Sequence, residues 1–124
     1  MSADSVAEIA PFIREVFAYA RQHPDAKKDL CATYDVIDVE DAWVQVTSRE
    51  INVAYPRENS PDAELGRLIQ RLPSAKLVSW EARRYATWSF AATDATEVAK
   101  VLDQMLAQLF NLGDYRVNAQ LDHL

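Results

Sequence analysis

In residues 76–92 (KLVSWEARRYATWSFAA) the aromatics Trp80, Trp88 and Phe90 fall on a two-residue rhythm on either side of Arg83, Arg84 and Tyr85. This stretch limits the possible folds more than any other. Strand side chains alternate between the faces of a sheet, so a period of two with one apolar register describes a ribbon with one buried side. A reversal at Arg83, Arg84 and Tyr85 makes Ala82 face Ala86, Trp80 face Trp88 and Val78 face Phe90. Every large apolar side chain except Leu77 and Tyr85 then lies on one side of a β-hairpin. A Trp–Trp pair across the strands contributes about 0.5 kcal/mol beyond burial, enough to favour this register.

A chain of 124 residues, 49% of them hydrophobic, has the size and apolar content of one domain with its own core, so residues 1–124 are read as a single unit. The lone cysteine, Cys31, has no internal partner for a disulfide. The opening residues (MSADSVAEIAPF) carry neither a basic leader nor a long apolar run. The expected compartment is therefore the reducing cytoplasm. No window approaches the apolar length of a membrane span, so no membrane partner is expected. A formal charge of −6 with no basic stripe argues against nucleic acid, whose phosphates call for clustered Lys and Arg. Lys27 and Lys28 are flanked by Asp25 and Asp29, and Arg83 and Arg84 lie close to Glu81. Two glycines in all leave no phosphate-cradling loop.

From the N-terminus, Ile9, Phe12, Ile13, Val16, Phe17 and Ala20 recur at helical spacing and predict a helix over 5–21, with Ser5 and Glu8 as a capping box. Pro11 disturbs its opening turns, and Pro24 ends it. A polar connection over 25–32 tucks Leu30 and Cys31 inward. Three runs of period two follow, over 34–39, 43–47 and 50–55. With two-residue turns, Val39 pairs with Val44, Ile37 with Val46, Val46 with Ile51 and Val44 with Val53. One face then carries Ile37, Val39, Val44, Val46, Ile51, Val53 and Tyr55, and the other is polar. Val36 and Trp43 interrupt that polar face. They lie either under a loop or the terminal segment, or in an exposed patch for a partner. Ser60 followed by Pro61 starts a short helix that buries Leu65, Leu68, Ile69 and Leu72 and stops at Pro73. After the hairpin, Asp94 caps a longer helix with Glu97 as its capping-box partner. Its apolar stripe runs from Val98 to Phe110, opposed by Lys100, Asp103, Gln104 and Gln108, and Gly113 supplies the left-handed stop. Alternation over 115–121 predicts a last strand. The order α-β-β-β-α-β-β-α-(β) describes an α+β domain: an antiparallel sheet with helices on one face.

This order over residues 5–112, the acidic composition and a closing helix that runs into Leu109, Phe110, Asn111, Leu112 and Gly113 resemble the type III secretion chaperone-like superfamily, which includes the YbjN-like bacterial proteins. The resemblance implies a non-enzymatic protein, often dimeric, that holds an extended segment of another polypeptide against apolar surface. The segment over 115–121 is an addition to that eight-element core, on a surface the family uses for pairing.

No constellation of residues calls for catalysis. His23 and His123 lie far apart with no further ligand at metal spacing. Cys31 has no base near it in sequence, and Ser48 and Ser79 lack a nucleophile elbow. The carboxylates of Asp35, Asp38, Glu40 and Asp41 fall on a turn and a polar strand face, where solvation keeps them ionised. No cofactor is expected. Arg83, Arg84 and Tyr85 at a hairpin tip either populate a turn as charged residues do or form a recognition cluster. Trp80, Trp88 and Phe90 either belong to the core or line a small-ligand pocket. The expected function is a protein-binding adaptor or chaperone-like module, with a homodimer among its forms, that uses Val36, Trp43, Arg83, Arg84 and Tyr85. The rival readings are a ligand-binding domain or enzyme with an aromatic pocket, and an immunity or antitoxin-like protein.

Overall fold

The computed structural model describes residues 3–123, and the side chains from Ser5 onward. Nine elements follow the expected order: α1 (Ala3–Gln22), β1 (Leu30–Val36), β2 (Trp43–Val46), β3 (Glu50–Ala54), α2 (Pro61–Ile69), β4 (Lys76–Glu81), β5 (Tyr85–Ser89), α3 (Ala95–Phe110) and β6 (Val117–His123). The strands form one six-stranded antiparallel sheet in the order β4-β5-β3-β2-β1-β6. The fold is α+β. Among the described residues, no helix is long and apolar enough to cross a membrane.

The helices stand on one face of the sheet. The Tyr34 hydroxyl on β1 donates to the Ile9 carbonyl of α1 at 2.5 Å, and the Trp88 indole on β5 donates to Asp62 of α2 at 3.1 Å. Phe17 of α1 meets Phe90, just past β5, at a ring separation of 6.1 Å. α3 lies between α1 and α2 and buries Val98, Val101, Leu102, Met105, Leu106 and Leu109. The opposite face of the sheet is polar. Asn52 donates to Gln45 at 3.3 Å and accepts from Thr87 at 2.9 Å, so side-chain hydrogen bonds cross from β2 through β3 to β5.

The expected β2–β3 register is present, with Val44 opposite Val53 and Val46 opposite Ile51. The β1–β2 register is not. The connection occupies 37–42, with left-handed residues at Asp38 and Asp41, and the strands pair Ala32 with Val46 and Tyr34 with Val44. This offset from the expected pairing is an odd number of residues, and an odd slip exchanges the two faces of a strand. Ala32, Tyr34 and Val36 therefore point into the core, while Ile37 is 41% exposed. Aspartate tolerates the left-handed region better than most residues, which lets a longer turn replace the two-residue one.

Three further expectations are corrected. Ser5 lies inside α1 rather than at its cap, and its hydroxyl donates to the Tyr115 carbonyl at 3.2 Å. Asp103 is fully buried instead of solvated, and it accepts the Tyr115 hydroxyl at 2.7 Å. The left-handed residue that ends α3 is Asn111 (φ 53°) and not Gly113. At the other end of α3, the Asp94 carboxylate accepts from the Thr96 amide at 3.2 Å, as its cap role requires. Glu97 does not reach back to it, and instead pairs with Arg71 and Lys100. Asp94→Ala is expected to cost about 1 kcal/mol, measured as a fall in the urea midpoint with an unchanged slope.

Candidate functional site

The hairpin of β4 and β5 forms as the aromatic rhythm predicts, but in a different register. Trp80 lies opposite Ala86 and Leu77 opposite Trp88, with the pairing slipping by one residue between Leu77 and Ser79. The turn has the expected length but begins one residue earlier, with Glu81 facing Tyr85 and Arg83 left-handed at φ 63°. The slip is a β-bulge, which inserts one unpaired residue and re-aims its side chain. That residue is Val78. Expected against Phe90 on the covered face, it is 47% exposed instead.

The sheet order leaves β4 at an edge, so one side of its backbone has no strand beside it among the described residues. Three large hydrophobic side chains in the described chain are exposed, and two of them, Val78 and Trp80, belong to β4. Trp80 is 39% exposed, and its ring meets Tyr55 edge-on at 6.3 Å, so part of the indole is fixed while the rest faces outward. The basic residue Lys76 begins the strand and the acidic Glu81 ends it.

The hairpin tip carries Arg83, Arg84 and Tyr85, each already engaged within the chain. Arg83 pairs with Glu58 at 2.5 Å, and its amide donates to the Arg57 carbonyl. Arg84 pairs with Glu81 at 3.2 Å, and the Tyr85 hydroxyl shares a hydrogen bond with Ser79 at 2.9 Å. Both arginines are well exposed, and pairs of this kind contribute little stability, so their guanidinium groups can exchange partners readily.

The other proposed site residues are scattered. Val36, at 5% exposure, is a core residue and cannot belong to a surface patch. Trp43 is half-buried on the polar face of β2, opposite Asp35. Trp88 is fully buried, with Ile51 on one side and Leu77 on the other. Trp80 is half-exposed at the sheet edge, whereas Trp88 and Phe90 are buried. Phe90 borders a cavity of about 660 Å³ at the far end of α1, which neither Trp80 nor Trp88 lines.

Burial pushes the Cys31 thiol above its ordinary range, which keeps it protonated. Its sulfur lies 3.9 Å from the Thr33 hydroxyl. No group of three or more His, Cys, Asp or Glu among the described residues could hold a metal ion. Comparison of the chain with protein-family models, with curated proteins and with solved structures yields no match.

Sequence reasoning missed Val78 and Lys76 as surface residues of an edge. The signal was ambiguous, because a period of two fixes which residues share a face but does not say where a bulge will change the parity.

Proposed function

We propose that this protein is a non-enzymatic polypeptide-binding module that takes up an extended segment alongside β4. The observation that carries this reading is the free edge of β4 with Val78 and Trp80 exposed on it. An edge strand offers unpaired backbone N–H and C=O groups that a second strand can satisfy, while side-chain contacts select which strand. The arrangement describes the segment. Run antiparallel to β4, it presents an acidic residue near Lys76, a basic or hydrogen-bonding residue near Glu81 and an apolar residue against the open half of Trp80. Arg83 and Arg84 lie just beyond, where a segment continuing past Glu81 meets two guanidinium groups. The resemblance to type III secretion chaperone-like proteins supports the same mode, the holding of an extended stretch of another chain. A second copy of this chain also fits the charge pattern, since antiparallel β4 strands bring Lys76 of each near Glu81 of the other.

Photocrosslinking from position 78 tests the reading. With Val78 replaced by benzoylphenylalanine in the native host, a crosslink to a distinct polypeptide is expected, and it is expected to be lost when Trp80→Glu is added. A crosslink only to a second copy makes the edge a dimer contact and removes the captured segment. No protein crosslink from a folded variant overturns the proposal.

A further inference from the structure

The 660 Å³ cavity is a bowl at the C-terminal end of α1, on a part of the surface that has no role in the proposed edge-strand function. Phe17 and Phe90 form its floor, both nearly buried and in ring contact with each other. Its walls come from three further segments: the end of α1 with Arg21, the loop carrying Lys27 and Lys28, and the β2–β3 turn with Arg49. These segments are tied together. Asp29 accepts from the Ser48 hydroxyl at 2.6 Å and the Ser48 amide at 3.1 Å, and the Phe90 amide donates to the Arg49 carbonyl at 2.9 Å.

The charge of the bowl runs against that of the chain. The protein carries a formal charge of −6, yet four cationic side chains line the cavity against the single carboxylate of Asp29. Asp29 is occupied by Ser48 and by the Leu30 amide, so its lone pairs are directed into the wall. Arg21, Lys27, Lys28 and Arg49 form none of the side-chain ion pairs found among the described residues, unlike Arg57, Arg71, Arg83, Arg84, Lys100 and Arg116. The neighbouring carboxylates of Asp25 and Glu50 do not line the cavity. Nearly half of the basic side chains of an acidic protein are thus paired off elsewhere, while four surround one apolar floor.

We infer that this bowl is a binding site for a small amphipathic anion, a molecule with an aromatic or aliphatic body and a phosphate, sulfate or carboxylate group. The volume lies within the range of sites that hold small molecules, about 300–1,000 Å³. Aromatic rings at the base take the apolar body, and cations on three walls meet the charged group. An ordinary patch of surface lysines would lack the floor, and an ordinary apolar dimple would lack the encircling charge.

The probe that tests this is 2-naphthyl phosphate, titrated into the full-length protein and followed by amide chemical shifts. Saturable binding is expected, with the largest shifts around Ala20, Arg49 and Ala91. Affinity is expected to drop on raising salt from about 20 mM to about 300 mM, where exposed charges are screened beyond a few ångströms. Both 2-naphthol and inorganic phosphate are expected to bind more weakly than the joined molecule, since each retains only half of the contacts. The double variant Arg21→Glu, Arg49→Glu replaces two attractions by repulsions and is expected to weaken binding by about tenfold or more. An unchanged thermal midpoint in that variant shows that the loss is not unfolding. Shifts centred elsewhere, an affinity indifferent to the two reversals, or equal binding of 2-naphthol each overturn the inference.

Discussion

Replacing Trp88 by alanine is expected to lower the free energy of unfolding by about 3–5 kcal/mol, the range for deleting a fully buried aromatic from a core. The residue lies on β5 between Ile51 and Leu77, with the helices above it, and it is fully buried. Its indole N–H also finds a partner in Asp62 on α2, so the ring joins the sheet to the helical layer by packing and by a hydrogen bond. Domains of this size are stable by about 5–15 kcal/mol, so the variant is expected to lose about a fifth or more of that margin. Two controls separate the contributions. Asp62→Ala removes the acceptor and is expected to cost about 1 kcal/mol. Trp80→Ala removes a half-exposed indole at the edge and is expected to cost clearly less than Trp88→Ala. Urea unfolding followed by circular dichroism measures all three. Equal costs at positions 80 and 88 would be incompatible with the burial that distinguishes them.

Alkali is expected to unfold this protein steeply from about pH 10 upward, the ordinary range of a phenol. Burial pushes the Tyr34 hydroxyl far above that range. Burial does the same to Tyr115, where the hydrogen bond to the Asp103 carboxylate adds to it because a phenolate there would face a second negative charge. Tyr55 is raised in the same direction by burial. In the unfolded chain these groups ionise at their ordinary value, so above pH 10 the native state binds more protons than the unfolded state and stability falls as pH rises. Below pH 10 the contribution is complete. Each fully retained proton gives a slope of about 1.4 kcal/mol per pH unit, so Tyr34 and Tyr115 together give about 3 kcal/mol per unit. The Cys31 thiol, also raised by burial, acts with the same sign from its own lower range. Stability measured by urea unfolding between pH 8 and about pH 12 is expected to show this decline. Tyr34→Phe is expected to begin lower at pH 8, by about 1 kcal/mol for the lost bond to Ile9, and then to fall with a visibly shallower slope. A variant that declines in parallel with the parent would mean that Tyr34 takes no part in the alkaline transition.

The segments with a strong local period were legible in the chain. The apolar stripe of α3 and its Asp94 cap, the short helix opening at Pro61 and the pairing of β2 with β3 all follow from spacing and turn chemistry within a few residues. The structure departs from that reading where a turn or a distant contact sets the parity. Val36 reads as an interruption of a polar face because its strand was given a two-residue turn, and left-handed Asp38 and Asp41 lengthen that turn and invert the strand. Asp103 reads as solvated because its helical neighbours Lys100 and Gln104 are polar, yet Tyr115, beyond the end of the helix, covers it.

The candidate sites were less legible than the fold, for the same reason. At the β4 edge, Trp80 reads as core or pocket lining and Val78 as core, but the edge position leaves the first half-exposed and the bulge exposes the second. In the bowl, Arg21, Lys27 and Arg49 come from three segments separated along the chain, so no linear motif could group them. Lys27 and Lys28 sit between two aspartates in the sequence, where they read as a neutral mixture. In space Asp29 turns into the wall, and the lysines remain at the rim.

The sequence alone determined the order of helices and strands, and that a sheet with one wet face would be covered by helices on the other, because backbone periodicity is a local property that side-chain polarity reports directly. The tertiary structure decided the inversion of β1, the addition of β6 beside it, the bulge that exposes Val78 and the gathering of four cations around Phe17 and Phe90. Each of these depends on turn conformations and pairings between residues far apart in the chain. Their energies are set by what packs against them, and no local pattern encodes that.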